Sequence, residues 1–255
     1  MVVFTNLMTI NLAVFGDVHG KQDLMYETAL QWERQTKKTI DAILQVGDFE
    51  TIRKQEDFEH YFAPSKYHRI SDFSDYYEGF KEAPFLTIFI GGNHEAWGVL
   101  EKHREMSYLA PNTIYLGRSG QLNFKGKSIG GITGIYNENH YKTDHPKNPS
   151  YNSKYVREKD VINMKDKKLD VLLVHDWIRP ISEMNIVKES NIPKSMKCGK
   201  PTPIHNLVLE TKPKYVFMGH MHKSYLEAYL EDTKVFGLSQ LEKNNIERSF
   251  KVIEL

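Results

Sequence analysis

The chain has 255 residues, with 34 basic and 33 acidic side chains and a formal net charge of +1. That length allows one large domain or two small ones, and the charge excludes a bulk positive field that gathers nucleic acid or anionic membrane non-specifically. Hydrophobic residues at 40% and aromatics at 12% fit a globular protein, and the longest apolar runs, such as PFLTIFI and VLLV, are far too short to span a bilayer. A single cysteine, Cys198, excludes an internal disulfide and agrees with a reducing compartment. The opening MVVFTNLMTINLAVF has no basic lead before its apolar stretch and does not read as a signal peptide, so a cytoplasmic location is expected, or a nuclear one if the source is eukaryotic. No membrane contact and no obligate protein partner is evident.

In chain order, INLAVF runs into GDVHG, and Lys21–Lys37 follows with Leu24, Met25, Thr28, Ala29 and Trp32 at helical spacing. AILQV then leads to GDFE, and FLTIFI leads to GGNHE with a helix expected over Ala96–Met106. The segment Thr113–Ile135, divided by GRSG and FKGK, reads as hairpins. Residues 137–160 and 182–203 read as two long irregular loops, and loops of this length in a compact domain are functional or disordered. Between them VLLV precedes HDW, and after them a helix over Ile204–Thr211 precedes YVFM and GHMH. The C-terminal YLEAYL, KVFGLS and SFKVIEL suit antiparallel strands. Short continuous apolar runs are strands buried on both faces, and their alternation with helices predicts an α/β protein with mixed sheets covered by helices.

Each of the five motif strands ends in residues of metal-ligand type: Asp17 and His19, Asp48, Asn93 with His94, His175, and His220 with His222. Ligands at the carboxyl ends of neighbouring strands meet in one crevice. Alternate residues leaving a strand point the same way, which suits the D-x-H and H-x-H spacings to holding one ion from two directions. A donor set without thiolate suits Mn²⁺ or Fe²⁺, with Zn²⁺ also admitted. Seven ligands, leaving His94 aside, exceed the needs of one ion, and a shared carboxylate such as Asp48 predicts a two-metal site. Any one motif alone is equally a polar turn; the ordered set of five is what carries the signal. Ligands spread from position 17 to position 222 meet at one centre only if residues 1–255 form a single domain.

This ordered set resembles the calcineurin-like metallophosphoesterases over nearly the whole chain. The resemblance implies a sandwich of two mixed β-sheets flanked by helices. It places Asp17, His19, Asp48 and His222 around one divalent ion and Asp48, Asn93, His175 and His220 around the other, with a bridging hydroxide as nucleophile. His94, next to a ligand, would face the phosphate and protonate the leaving alkoxide.

The stretches APFLTIFIGGNHEA, LAPNTIYLG, SIGGITGIY with the loop reaching PSYNS, and VHDWIRP are similar more narrowly to the RNA lariat debranching enzymes. So is SKYHRISDFSDYYEGF. This implies hydrolysis of the 2′,5′-phosphodiester of branched RNA. The 137–160 loop mixes Tyr141, Tyr151 and Tyr155 with Lys142, Lys147, Lys154, Arg157 and Lys159, residues suited to stacking unpaired bases and meeting phosphates. Tyr141, Tyr151, Lys154 and Arg157 are the expected contacts to branched or single-stranded RNA, and Lys194, Lys197 and Lys200 give the second loop a basic character. Asp17 stands where many eukaryotic debranching enzymes have Cys, and the last motif is GHMH where they tend to have Ala before the first His; with these departures a compact relative without their long C-terminal extension is expected.

A general metallophosphodiesterase or nuclease fits the same metal motifs. A protein Ser/Thr phosphatase fits less well, because the arginine of GD-x-x-DRG is absent and Arg53 has the wrong spacing. A binding module that has lost catalysis is expected to lack a ligand or the motif histidine, and none is missing.

Overall fold

The computed structural model describes residues 9–143 and 149–255. The first sheet contains β1 (Asn11–Phe15), β2 (Ala42–Gln45), β3 (Thr87–Phe89), β4 (Ser107–Ala110), β5 (Thr113–Tyr115) and the C-terminal β13 (Phe250–Glu254), in the order β13-β1-β2-β3-β5-β4. The second contains β6 (Ser119–Phe124), β7 (Lys127–Ile132), β8 (Val171–Val174), β9 (Asn185–Ser190), β10 (Tyr215–Met218), β11 (Tyr225–Leu230) and β12 (Thr233–Gly237), in the order β6-β7-β8-β10-β12-β11-β9. The centre of each sheet is parallel: β1 pairs with β2, β2 with β3, β8 with β10 and β10 with β12. Antiparallel strands lie toward the edges, so both sheets are mixed.

Strand alternation explains why the central runs are apolar throughout. Leu12 and Val14 of β1, Leu44 of β2 and Ile88 of β3 share one buried cluster with Val171 and Leu173 of β8, Phe217 of β10 and Phe236 of β12. This is the layer between the sheets. The intervening Ala13, Phe15, Ile43 and Phe89 face outward to Met25, Tyr26 and Ala29 of the helix Gln22–Thr36. On the other side Leu172 and Val174 meet Ile204, Leu207 and Val208 of the helix Pro203–Thr211. Burying each such side chain is worth ~1.5–3 kcal/mol.

Several elements differ from the sequence expectation. The helix after GGNHE covers only Trp97–Leu100; the chain then tightens into i→i+3 turns, with Lys102 N donating to Val99 O (3.1 Å) and His103 N to Leu100 O (2.9 Å), before β4 begins. GRSG is no hairpin: β5 belongs to the first sheet and β6 to the second, and the chain crosses between layers at Leu116–Arg118. FKGK is the hairpin turn of β6–β7, with positive φ at Lys125 (48°) and Gly126 (81°) as a tight turn between twisted strands requires.

The 182–203 segment is not irregular throughout. It contributes β9, antiparallel to β11 at the sheet edge, and the short helix Lys194–Lys197. The 137–160 segment holds short helices over Glu138–Tyr141 and Pro149–Asn152 and the start of Glu158–Ile162. Lys147 lies outside the described residues, as does the opening Met1–Met8. Among the described residues no helix is long and apolar enough to cross a membrane.

Candidate functional site

The loops that leave β1, β2, β3, β8 and β10 at their carboxyl ends converge. His19 N donates to Asp48 O (2.9 Å), Gly219 N to His175 O (3.0 Å) and His220 N to Asp17 Oδ1 (2.9 Å), so the motif turns brace one another. Four non-glycine residues here have left-handed backbone: His19 (φ 45°), Asp48 (54°), Glu50 (57°) and His220 (67°). Such conformations are unfavourable for L residues and persist where surrounding contacts over-determine them. The turns also need glycine for close approach, since a Cβ at Gly92 would collide with Asp48 Oδ1 and one at Gly219 with Asp17 Oδ1.

Asp17, His19, Asp48 and His222 each present one ligand atom, and these atoms all lie within 4.8 Å of one another. His19 Nε2 is 3.0 Å from His222 Nε2 and 3.6 Å from Asp48 Oδ2, and His222 Nε2 is 3.4 Å from Asp17 Oδ2. On the other side of Asp48, its Oδ1 is 3.3 Å from His175 Nε2, which is 3.1 Å from Asn93 Oδ1. His175 Nδ1 donates to Val46 O (2.8 Å), which leaves Nε2 aimed at Asp48. The His220 ring lies 5.2 Å from that of His175, between ring centroids. Thus all seven expected ligands come together, and the two oxygens of Asp48 face different partners.

The residues fit metal ions. Asp17 Oδ2, Asp48 Oδ2 and His220 Nδ1 are buried without a hydrogen-bond partner, a costly state that a bound cation relieves. Burial and the Asp48 charge raise the Asp17 carboxyl to about 6. Burial acts on Asp48 in the same direction, but the imidazoles of His175, His222, His19 and His94 outweigh it and hold that carboxyl well below the usual range. Burial pushes His19 down, yet its hydrogen bond to Glu50 and the nearby Asp48 charge carry it up to about 9. His175 and His220, desolvated, are lowered, as suits neutral imidazole ligands.

Two buried carboxylates escaped the sequence reading. Glu50 Oε1 accepts from His19 Nδ1 and from Tyr61 OH, each at 2.8 Å, which turns His19 Nε2 into the cluster. Glu95 accepts the N–H groups of Phe49 (2.9 Å), Glu50 (2.9 Å) and Gly92 (3.1 Å), tying the β2 and β3 turns together; burial and Asp48 raise its carboxyl to about 8. Both stand in the motifs themselves, as the acids of GDFE and GNHE, and that was the available signal.

A cavity of about 360 Å³ opens over the cluster, lined by His19, Glu50, His94 and His222 and by Lys21, Tyr61, Tyr67, Arg69 and Gln240. His94 is fixed through its backbone N–H, which donates to Asp48 Oδ1 (2.7 Å), while burial lowers its ring. None of the four expected RNA contacts lines this cavity. Tyr141 is half-buried against Tyr136 (5.5 Å between centroids), and Lys154 Nζ sits 3.7 Å from the Tyr151 ring centroid, whose edge meets Phe62. Arg157 departs from expectation: it is 7% exposed, packed near Arg118 at the loop's base, because the chain after Tyr155 turns inward to bury Val156 and Val161. Arg53 does not line the cavity, being held by Asp57 (2.8 Å).

The family model of the calcineurin-like phosphoesterases matches residues 10–224. The chain is 36% identical over 232 residues to the lariat debranching enzyme of Homo sapiens and 34% identical over 232 residues to lariat debranching enzyme A of Xenopus laevis. Each match covers 85% of this chain but only 42% and 43% of those proteins, so the chain spans less than half the length of these relatives. Its fold superimposes on TT1561 of Thermus thermophilus with a TM-score of 0.52 at 14% identity, covering 96% of this chain and 99% of that one. With the ordered motifs joined at one centre between two mixed sheets and the family model covering most of its length, the chain belongs to the calcineurin-like phosphoesterase family.

Proposed function

We propose that the protein is a dinuclear metal-dependent phosphodiesterase that hydrolyses the 2′,5′-phosphodiester of branched RNA. The observation that carries the chemistry is Asp48, whose two oxygens face two separate sets of nitrogen and oxygen donors, with a cavity above the first set. The branched substrate is supported by the likeness to lariat debranching enzymes over 85% of the chain.

Asp17, His19, Asp48 and His222 would hold one divalent ion, and Asp48, Asn93, His175 and His220 a second; Mn²⁺ or Fe²⁺ suits this thiolate-free set, and Zn²⁺ is also accommodated. When bound, such a pair supplies an acidified water and positive charge at phosphorus. The protein's own groups do the rest. Glu50 holds the His19 ring in one orientation. His94, its backbone anchored on Asp48 and its ring lining the cavity, delivers a proton to the departing 2′-oxygen. The tyrosines and Lys154 of the 137–160 segment are then contacts for RNA outside the cavity, and the cytoplasm is the proposed location.

The test compares a 2′,5′-branched RNA, a linear 3′,5′-RNA and bis(p-nitrophenyl) phosphate, before and after chelation and with Mn²⁺ restored. Metal-dependent cleavage of the branch alone among the RNAs is expected. Equal cleavage of the linear RNA replaces debranching with a general nuclease, and absence of turnover with every metal replaces the enzyme with a binding module.

A further inference from the structure

We infer that Lys21 and Arg69 form a second anionic subsite beside the catalytic cluster, one that holds the non-scissile phosphate neighbouring the bond being cut; this rests on the branched-RNA reading. Both side chains line the cavity that contains His19 and His94. Both are pre-positioned by main chain: Lys21 Nζ donates to Leu241 O (2.7 Å), and Arg69 donates to the carbonyl of His19. Among the described residues neither forms an ion pair with a carboxylate; Glu242 and the cavity's own Glu50 act on Lys21, and Asp72 on Arg69, only at longer range. Elsewhere in the structure, lysines and arginines such as Lys81 and Arg53 are paired with acids. Two cations held at the rim of a phosphoester site without an ion-pair partner are free to meet a second anion.

A branch nucleotide supplies one. It carries phosphodiesters on adjacent ribose oxygens, 2′ and 3′, so when the 2′ phosphate sits over the cluster the 3′ phosphate is only a few bonds away. A simple diester has no such group. The subsite therefore serves discrimination: it rewards a vicinal pair of phosphates over a single one.

The experiment uses two substrates, a 2′,5′-linked diadenosine bearing a 3′-phosphate at the branch position and the same compound with a free 3′-hydroxyl. The wild-type protein is expected to favour the phosphorylated form by roughly tenfold or more in kcat/KM, as a charge-assisted contact allows. The Lys21→Met/Arg69→Met double variant brings that ratio near one, and Lys21→Arg preserves it. Cleavage of both compounds with the wild-type ratio unchanged in the double variant overturns the subsite and leaves the debranching reading standing. Cleavage of neither by the wild type, with bis(p-nitrophenyl) phosphate still hydrolysed, overturns both. A binding measurement on metal-free wild-type protein needs no variant: adenosine 3′-monophosphate is expected to bind more tightly than adenosine, with a preference that shrinks as salt rises. Equal affinity at low salt overturns the subsite.

Discussion

Glu50 Oε1 lies 2.8 Å from His19 Nδ1, and this one contact sets the direction of the histidine whose Nε2 enters the candidate metal-ligand cluster. Carboxylates that orient ligating histidines are worth ~10–100-fold in metal affinity. Glu50→Gln is expected to weaken Mn²⁺ binding in that range, read by calorimetric titration, while the fold is retained. Unchanged affinity would show that the ring is held by packing alone.

Asp48 reaches both donor sets, with Oδ1 toward His175 and Oδ2 toward His19. Asp48→Ala is therefore expected to lose both ions, whereas His222→Ala, which touches only the first set, weakens one. Elemental analysis after dialysis distinguishes the two variants. Undiminished metal content in Asp48→Ala removes the bridging assignment.

Metal uptake is coupled to protons. In the metal-free protein Glu50 and Asp48 carry His19 up to about 9, so its ring is protonated at pH 7 and must lose that proton to bind a cation. The Asp17 carboxyl, raised to about 6 by burial and Asp48, adds a second competing proton as the pH falls through 6. Titrations in buffers of different ionisation enthalpy should report about one proton released at pH 7 and more below pH 6. Proton-free binding at pH 7 contradicts the His19 state.

A proton donor matters most when the leaving group is poor. His94→Ala is expected to slow cleavage of branched RNA ~10²–10⁴-fold, because a 2′-alkoxide leaves badly without a proton. Bis(p-nitrophenyl) phosphate, whose nitrophenolate departs unaided, should lose far less. An equal loss on both substrates assigns His94 to binding the phosphate.

The strands that carry the ligands were legible because burial on both faces writes a continuous apolar run, and Val171–Val174 or Ala42–Gln45 has nothing else to signal. The ligands were legible because each follows such a run within a few residues. Strand β9 was not: its residues are exposed at the sheet edge, and its partner β11 is paired through backbone hydrogen bonds that leave no hydrophobic pattern. The crossing at Leu116–Arg118 was hidden because GRSG is chemically a turn wherever it leads. Lys21, the Tyr67–Arg69 segment and Gln240 reach one cavity from three separate parts of the chain, and no spacing rule joins the three. Arg157 misled for a related reason, since composition marks a loop as basic without saying which of its cations turns inward.

Arg118 is the counterpart of that error, a cation with no motif to mark it that anchors the 137–160 segment. It is 8% exposed and donates to Ser153 O, to Tyr155 O (2.6 Å) and to Asp160 Oδ2 (2.9 Å), and its guanidinium lies 5.8 Å from the Trp97 ring just beyond GGNHE. At its other end the segment is held by Asp176, which follows His175 and accepts from Tyr136 N (2.9 Å). Arg118→Met removes one partner of a buried pair, a change that costs ~3–5 kcal/mol when the remaining charge stays buried. Since the hydrogen bonds donated by the Arg118 side chain all go to residues 153–160, the expected outcome is local: faster amide exchange over residues 149–162 and a higher KM for branched RNA, with a smaller shift in the urea midpoint than that figure implies. Exchange that rises uniformly across both sheets would instead make Arg118 a support of the whole fold.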